Sequence, residues 1–364
     1  MDYKAWYTLD VEPEEYYAKI AEVSPRDPQA TARTRDADGT IPGEARDKLF
    51  NISAEIKNLF HEFGSPMPPL MEGCTVVDLC CGSGRDTYLA AQLVGPEGKV
   101  VGVEPNAERL AVAEKYFDQE IKQFGYDTAN VELINGVPEN LSMIPDGSAD
   151  IVISNCTFNL SPDKEAYVRE VKRILKDNGE WYFTDVFTGR RVPQELAKDI
   201  AQRSDRLAGA MFVGDFRRLV QANGFNDPRY LMNWKTPLTD AERETYGDVE
   251  FATLTVRILN SDWSEDVCES YGETVTYDGL LPDYPDFFLF ENNIKFPTGK
   301  ECTVCGNVTS VAAHSRYAKV FTVVGDRTTH IGDTHHAYDN LILNAPDFTG
   351  VRDEDDLPIQ ASCC

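Results

Sequence analysis

Between residues 46 and 235 the hydrophobic positions alternate between two spacings. Short runs rich in β-branched and aromatic residues, "CTVVDLC", "KVVGVEP", "VELINGV", "ADIVISNC" and "EWYFTDVF", predict five strands. The intervening "GSGRDTYLAAQLVG", "NAERLAVAEKYFDQEIKQFG" and "DKEAYVREVKRILKDNG" read as helices. In the middle one Leu110, Ala113, Phe117, Ile121 and Phe124 fall near one face, and Gly179 is placed to close the last. Ahead of the first strand, residues 46–64 set Leu49, Ile52, Ile56, Leu59 and Phe60 at helical spacing, with Gly64 as the stop. The alternation predicts an α/β fold with a doubly wound, mostly parallel sheet covered on both faces.

After about residue 235 the pattern changes. "DVEFATLTVRILN", "ETVTYDGLLPDYPDFFLFENNIKFPTG" and "YAKVFTVVGDR" are strand-like, aromatic and joined by Gly/Pro turns, which predicts a smaller α+β or mainly β domain over 236–345. Residues 1–45 read as a polar, lightly packed N-terminal segment and 346–364 as an acidic, loosely held tail. A length of 364 residues suits a main domain plus a smaller one. The net charge of −26 argues against a nucleic-acid partner, and basic clusters such as Arg217-Arg218 read as solvated helix faces. No run approaches the length of a membrane span, and the opening residues lack the basic and apolar regions of a secretory signal. Nine unevenly spaced cysteines fit reduced thiols in a cytoplasmic protein. The expected partner is a small molecule, with neither nucleic acid nor membrane, and the expected state is a monomer.

Chemistry enters at "VVDLCCGSGRD". A strand ends at Asp78-Leu79, a Gly82-Ser83-Gly84 turn follows, and a helix begins, so backbone N–H groups face the carboxyl ends of parallel strands. Glu104, ending the next strand ahead of Pro105, can accept hydrogen bonds from both hydroxyls of a ribose. The spacing departs from the dinucleotide fingerprint, because Asp86 and Thr87 stand where a third glycine would lie. Carboxylates around the turn, Asp78 above all, suit a cationic ligand better than a pyrophosphate. S-adenosyl-L-methionine, with its ammonium and sulfonium, is that kind of ligand. Cys80, within the turn, joins the expected cofactor residues. Val137, Pro138 and Glu139 follow the third strand and are expected to border the adenine. Asn155 and Cys156 end the fourth.

With these residues in place the chain resembles a class I methyltransferase, Rossmann-like in fold, and more narrowly the arsenite methyltransferase family. The resemblance is carried by "DLCCGSGRD", "ISNCTFNLSPDKEAYVREVKRILKDNGEWYFTDVF", "RLAGAMFVGDFRRLVQANGFNDPR" and "GETVTYDGLLPDYPDFFLFENNIKFPTGKECTVCGN", and runs from about residue 50 to about 332. It implies methyl transfer from S-adenosylmethionine to trivalent arsenic, a soft centre held by cysteine thiolates. Cys156 falls on one arsenic-binding cysteine. The second position holds Arg206, and the third has no counterpart, since no cysteine precedes Cys74. The family's glycine before the turn cysteine is replaced as well, giving Cys80-Cys81. Cys156 is therefore expected to be the catalytic and acceptor-binding residue, with Asn159 and Arg206 beside it, and no metal is assigned. A lone Cys302-x-x-Cys305 lacks the second pair of a zinc site. Three functions follow. The acceptor has changed from arsenite to a small organic thiol or amine, or arsenite is still methylated at a rearranged thiol site, or the chain binds the cofactor without transfer. An amine or hydroxyl acceptor would need a base, for which Asp163 and Asp185, near strand ends, are the candidates.

Overall fold

The computed structural model describes residues 2–23, 43–60, 66–204, 206–291, 294–334, 342 and 345. The 346–364 tail, Gly64 and part of the N-terminal segment fall outside the described residues. Five parallel strands follow the expected runs: β1 (Thr75–Leu79), β2 (Lys99–Glu104), β3 (Val131–Asn135), β4 (Ala149–Asn155) and β5 (Leu175–Thr188). The short β6 (Met211–Phe212) pairs with the end of β5, and β7 (Pro228–Lys235) and β8 (Phe251–Leu259) complete the sheet. The order is β3-β2-β1-β4-β5-β8-β7, with β8 antiparallel to both neighbours. The run at 248–260, expected to open the C-terminal domain, is thus an interior strand of the main sheet. All nine residues of β8 are buried, so it has no polar face to mark which sheet it joins.

Period-2 alternation explains the two cores. Val77, Leu79, Val152, Trp181 and Phe183 face one side, while Val76, Val100, Ile151 and Ile153 face the other. Helices cover both faces. α1 (Lys4–Tyr7), α2 (Pro13–Val23), α3 (Gly43–Lys48) and α4 (Ala54–Asn58) precede the sheet. The crossovers are α5 (Arg85–Val94), α6 (Ala107–Phe124) and α7 (Lys164–Ile174). α8 (Gln194–Ala197), α9 (Ile200–Arg203), α10 (Val213–Ala222) and α11 (Asp240–Tyr246) follow β5.

Three local expectations are corrected. The single helix expected over 46–64 is broken at Ile52, which is extended at φ −97° and ψ 137°. The Ser53 N–H donates to Glu120 Oε1 at 2.9 Å and its hydroxyl accepts from Gln119 at 2.9 Å, so contacts to α6 compete with the helix here. Gly179 does not close α7, which ends at Ile174. A Cβ on Gly179 would come within 3.0–3.2 Å of the Lys176, Ala149 and Asp150 carbonyls, so close backbone approach inside β5 requires the glycine. The N-terminal segment is not lightly packed where it is described, because Tyr7, Tyr16, Tyr17 and Ile20 are buried.

The C-terminal region is α+β. β10 (Thr274–Tyr277), β13 (Glu301–Thr303) and β14 (Phe321–Val324) form one antiparallel sheet, and β11 (Phe287–Glu291) with β12 (Ile294–Pro297) a hairpin. β9 (Glu269–Ser270) pairs with β15 (Gly332–Asp333), and α12 (Gly306–His314) packs against this aromatic core. A buried ionic cluster ties it to the main sheet. Glu180 of β5, fully buried, is paired with Arg316 and lies 3.6 Å from Arg257 Nε of β8, whose guanidinium sits 4.1 Å over Phe290. Arg316→Ala would leave Glu180 short of one cation in a dry environment. It is expected to destabilise the protein by about 3–5 kcal/mol in urea unfolding, against well under 1 for an exposed arginine such as Arg190.

Candidate active site

The turn after β1 is built from left-handed residues, with φ of 55° at Cys80, 59° at Gly82 and 91° at Gly84. Gly84 caps α5, and a Cβ there would meet Ala113 and Tyr88 at 3.0 Å, so this glycine serves helix packing. A Cβ on Gly82 would meet nothing within 4 Å, which leaves that backbone open to the cleft. The Gly82 N–H donates to Glu104 Oε2 and the Asn106 N–H to Glu104 Oε1, both at 2.8 Å. The carboxylate at the end of β2 is thereby fixed against the turn. Ser83 Oγ donates to Ile56 O at 3.1 Å and anchors α4 beside it.

Two adjoining lobes open at the carboxyl ends of β1, β2 and β4. Counting the solvent at their mouths they span about 550 and about 340 Å³, and they share Cys80 and Arg109. The smaller is walled by Asp78, Gly82, Ser83, Asp86 and Asn155, together with Leu59 and Phe60. Asp78 accepts from Thr87 Oγ1 at 2.6 Å, and burial, then the Asp86 charge, pushes its carboxyl well above the usual range. Asp86 accepts from Arg85 Nε at 2.8 Å and from Asn155 Nδ2 at 3.1 Å. A cation held here would relieve the crowding of these carboxylates, so the donor set fits the ammonium and sulfonium of S-adenosylmethionine. Cys81 also lines this lobe, its Sγ packed 3.0 Å from where a Cβ on Gly102 would stand.

The larger lobe is lined by Glu104 and Pro105 and by Cys156, Thr157 and Arg206. Cys156 is 1% exposed at φ 55°, and its N–H donates to Thr184 O at 2.8 Å, so β5 fixes where the thiol stands. Arg206 follows α9 at φ 72°, its N–H donating to Arg203 O at 2.9 Å. Burial, with the Glu104 and Glu139 charges, pushes the Cys80 thiol well above its ordinary range.

Several expected site residues line neither lobe. Val137 packs with Tyr16 and Tyr17 of α2, and Glu139 accepts from Tyr17 OH at 3.1 Å and Ser161 Oγ at 2.5 Å. Asn159 is fully buried, with its N–H on Asp185 Oδ2 at 3.0 Å and its Nδ2 on Val186 O at 2.7 Å. Its carbonyl accepts from Lys164 Nζ at 3.0 Å, so its role is to brace the chain behind Cys156. Asp163 caps α7. Asp185 is held by two backbone N–H groups, and burial pushes its carboxyl up to about 6.

Residues that the pattern did not single out include Tyr17, Ile20 and Ala21 of α2, which line the larger lobe with Arg109, Leu160 and Ser204. Pro13 at the first helical position, acidic Glu14 and Glu15, and the Tyr16/Tyr17/Ile20 spacing could have revealed this helix. Its anchor is pH-sensitive. Burial pushes Glu139 up to about 7 from 4.5 despite its two hydroxyl donors. The folded state therefore favours the neutral carboxyl. Its stability is full below pH 4.5 and is lost as pH rises to about 7, by up to about 3 kcal/mol. Glu139→Gln is expected to flatten the stability profile over that window in thermal melts at stepped pH. Asp185, shifted in the same direction, keeps a smaller slope.

A doubly wound sheet with one reversed strand, a glycine turn and an acidic end to β2 define a class I methyltransferase, and S-adenosylmethionine is its cofactor. Residues 70–231 match the methyltransferase domain family, and 271–364 match the arsenite methyltransferase C-terminal domain. The chain is 38% identical to an arsenite methyltransferase of Aquipseudomonas alcaligenes, over 87% of this chain and 91% of that one. It is 32% identical to the Homo sapiens arsenite methyltransferase, over 78% and 76% of the two chains. An arsenic(III) S-adenosylmethionine methyltransferase from Chlamydomonas reinhardtii superposes with a TM-score of 0.78 at 37% identity, covering 81% of this chain and all of that one. The chain belongs to the arsenite methyltransferase family and is an S-adenosylmethionine-dependent methyltransferase. Among the described residues no helix is long and apolar enough to cross a membrane.

Proposed function

We propose that the methyl acceptor of this enzyme is a small organic thiol bearing a carboxylate. The observation that carries this reading is Arg206, which shares the larger lobe with Cys156. A guanidinium takes a carboxylate through two parallel charge-assisted hydrogen bonds and offers nothing to a thiophilic metalloid. Its charge also favours the thiolate form of an acceptor held beside it.

The cofactor roles follow from the same chemistry. Glu104 would accept from the ribose hydroxyls, Pro105 would flank the adenine, and Asp78 with the open Gly82 backbone would meet the methionine end. Bound S-adenosylmethionine supplies an electrophilic methyl group on a positive sulfonium. Cys156 and Arg206 orient the acceptor toward that end of the cleft, and Tyr17 and Ile20 help keep water out. Orientation supplies most of the rate, because a thiolate needs no general base in the step itself. This agrees with the absence of Asp163 and Asp185 from the lining.

A second reading, arsenite as acceptor, is favoured by the relatives and by Cys80, which shares the larger lobe with Cys156 and could offer a second thiol. Formation of S-adenosylhomocysteine, followed by mass spectrometry, separates the readings. The expected result is turnover with 3-mercaptopropionate and much less with uncharged 2-mercaptoethanol or with arsenite plus 2-mercaptoethanol. Methylarsenicals as the main products would favour the second reading. Cofactor binding with no product from any of the three would leave a silent binding protein.

A further inference from the structure

The two members of Cys302-x-x-Cys305 part company in the fold. Cys302 sits on β13 with its Sγ 3.6 Å from the Lys300 carbonyl. Cys305 instead meets Cys268, thirty-seven residues earlier, with the sulfurs 2.9 Å apart and both side chains buried. The Arg229 guanidinium of β7 donates to both sulfurs, at 3.3 Å to Cys268 and 3.5 Å to Cys305. Asp227 at 2.5 Å and Glu291 at 2.8 Å hold that guanidinium in place. Cys305 is also the N-cap of the nine-residue α12, where the helix dipole favours negative charge.

We propose that Cys268 and Cys305 form a reversible disulfide, a modification site remote from the methyl-transfer cleft and independent of the acceptor. The sulfurs need to close by only about 0.9 Å to reach bonding distance. Two features favour a thiolate at this pair, the guanidinium against both sulfurs and the helix N-terminus at Cys305. Cys305 is therefore the attacking thiolate. With hydrogen peroxide as oxidant, the Cys305 sulfur displaces hydroxide and becomes a sulfenic acid. The Cys268 thiolate then attacks that sulfur, the S–S bond forms, and the second oxygen leaves as water once protonated. In total two thiols lose two protons and two electrons, and one peroxide becomes two waters. Burial restricts the reaction to small oxidants that enter through local opening. The product would tie the strand at 269–270 to α12 against the arginine of the main sheet.

The test is a peptide map of the full-length protein after mild hydrogen peroxide, with remaining thiols blocked by N-ethylmaleimide under denaturing conditions. The expected result is one cross-linked pair joining the peptides of Cys268 and Cys305, two hydrogens lighter than their sum and separated by dithiothreitol. Oxidation is expected to raise the wild-type Tm by about 5 °C, because a long loop is closed. Cys302→Ser should leave both the link and the shift in place, and Cys305→Ser should remove both. If Cys305→Ser fails to fold, the wild-type and Cys302→Ser maps decide alone. Recovery of Cys268 and Cys305 as blocked thiols, or a link made by Cys302 in place of Cys305, would overturn the proposal.

Discussion

Glu104→Ala is expected to weaken S-adenosylmethionine binding by at least a hundredfold in calorimetric titration. The carboxylate at the end of β2 is already oriented, because the Gly82 and Asn106 N–H groups each hold one oxygen at 2.8 Å. Glu104 lines the larger lobe, and a carboxylate offers two oxygens as acceptors for two vicinal ribose hydroxyls. A hydrogen bond to a charged group contributes about 1.5–3 kcal/mol, so losing two removes roughly 3–6 kcal/mol before any relaxation of the turn. Part of the loss would come through the turn itself, since Gly82 would lose its partner. Glu104→Gln separates the two contributions. It keeps one acceptor oxygen and is expected to fall between wild type and alanine. A change of less than threefold for the alanine variant would remove Glu104 from the cofactor site.

Arg206→Cys is expected to reverse the acceptor preference. Turnover of 3-mercaptopropionate should fall by about 10- to 100-fold, the weight of a bidentate guanidinium–carboxylate contact. Turnover of arsenite should rise at least tenfold, because a thiol then stands beside Cys156 in the same lobe. Backbone strain does not confound the comparison. Residue 206 lies at φ 72°, and arginine and cysteine, both bearing a Cβ, are penalised alike there. Unchanged turnover of both acceptors would show that the guanidinium does not reach the acceptor.

The strands from 75 to 188 were readable because each carries a continuous apolar run broken by helices of ordinary length. The placement of β8 was not readable. Its nine buried residues fit any two-sided sheet, and only the long-range pairing with β5 and β7 assigns it to this one. The glycine turn and the placement of Glu104 against it were legible because glycine conformation and charge at a strand end leave a local trace. Tyr17 was not, since nothing in a polar N-terminal stretch reveals that its helix lies against a cleft formed sixty residues later. Asn159 and Glu139 were given cleft roles from their positions after strands. Their side chains instead satisfy buried partners, Val186 O for the first and Tyr17 with Ser161 for the second. Gly179 had a clear sequence role as a helix stop, yet the chain leaves the helix at Leu175 and uses the glycine where three carbonyls crowd.

The central claim is that Cys156 and Arg206 together select a carboxylated soft nucleophile. Its most direct test is kcat/KM for 3-mercaptopropionate and for arsenite with 2-mercaptoethanol, measured side by side through S-adenosylhomocysteine at one cofactor concentration. A ratio of at least ten in favour of the carboxylated thiol, lost on Arg206→Ala, is the expected result. A ratio below one, with methylarsenicals formed and Arg206→Ala without effect, would contradict it.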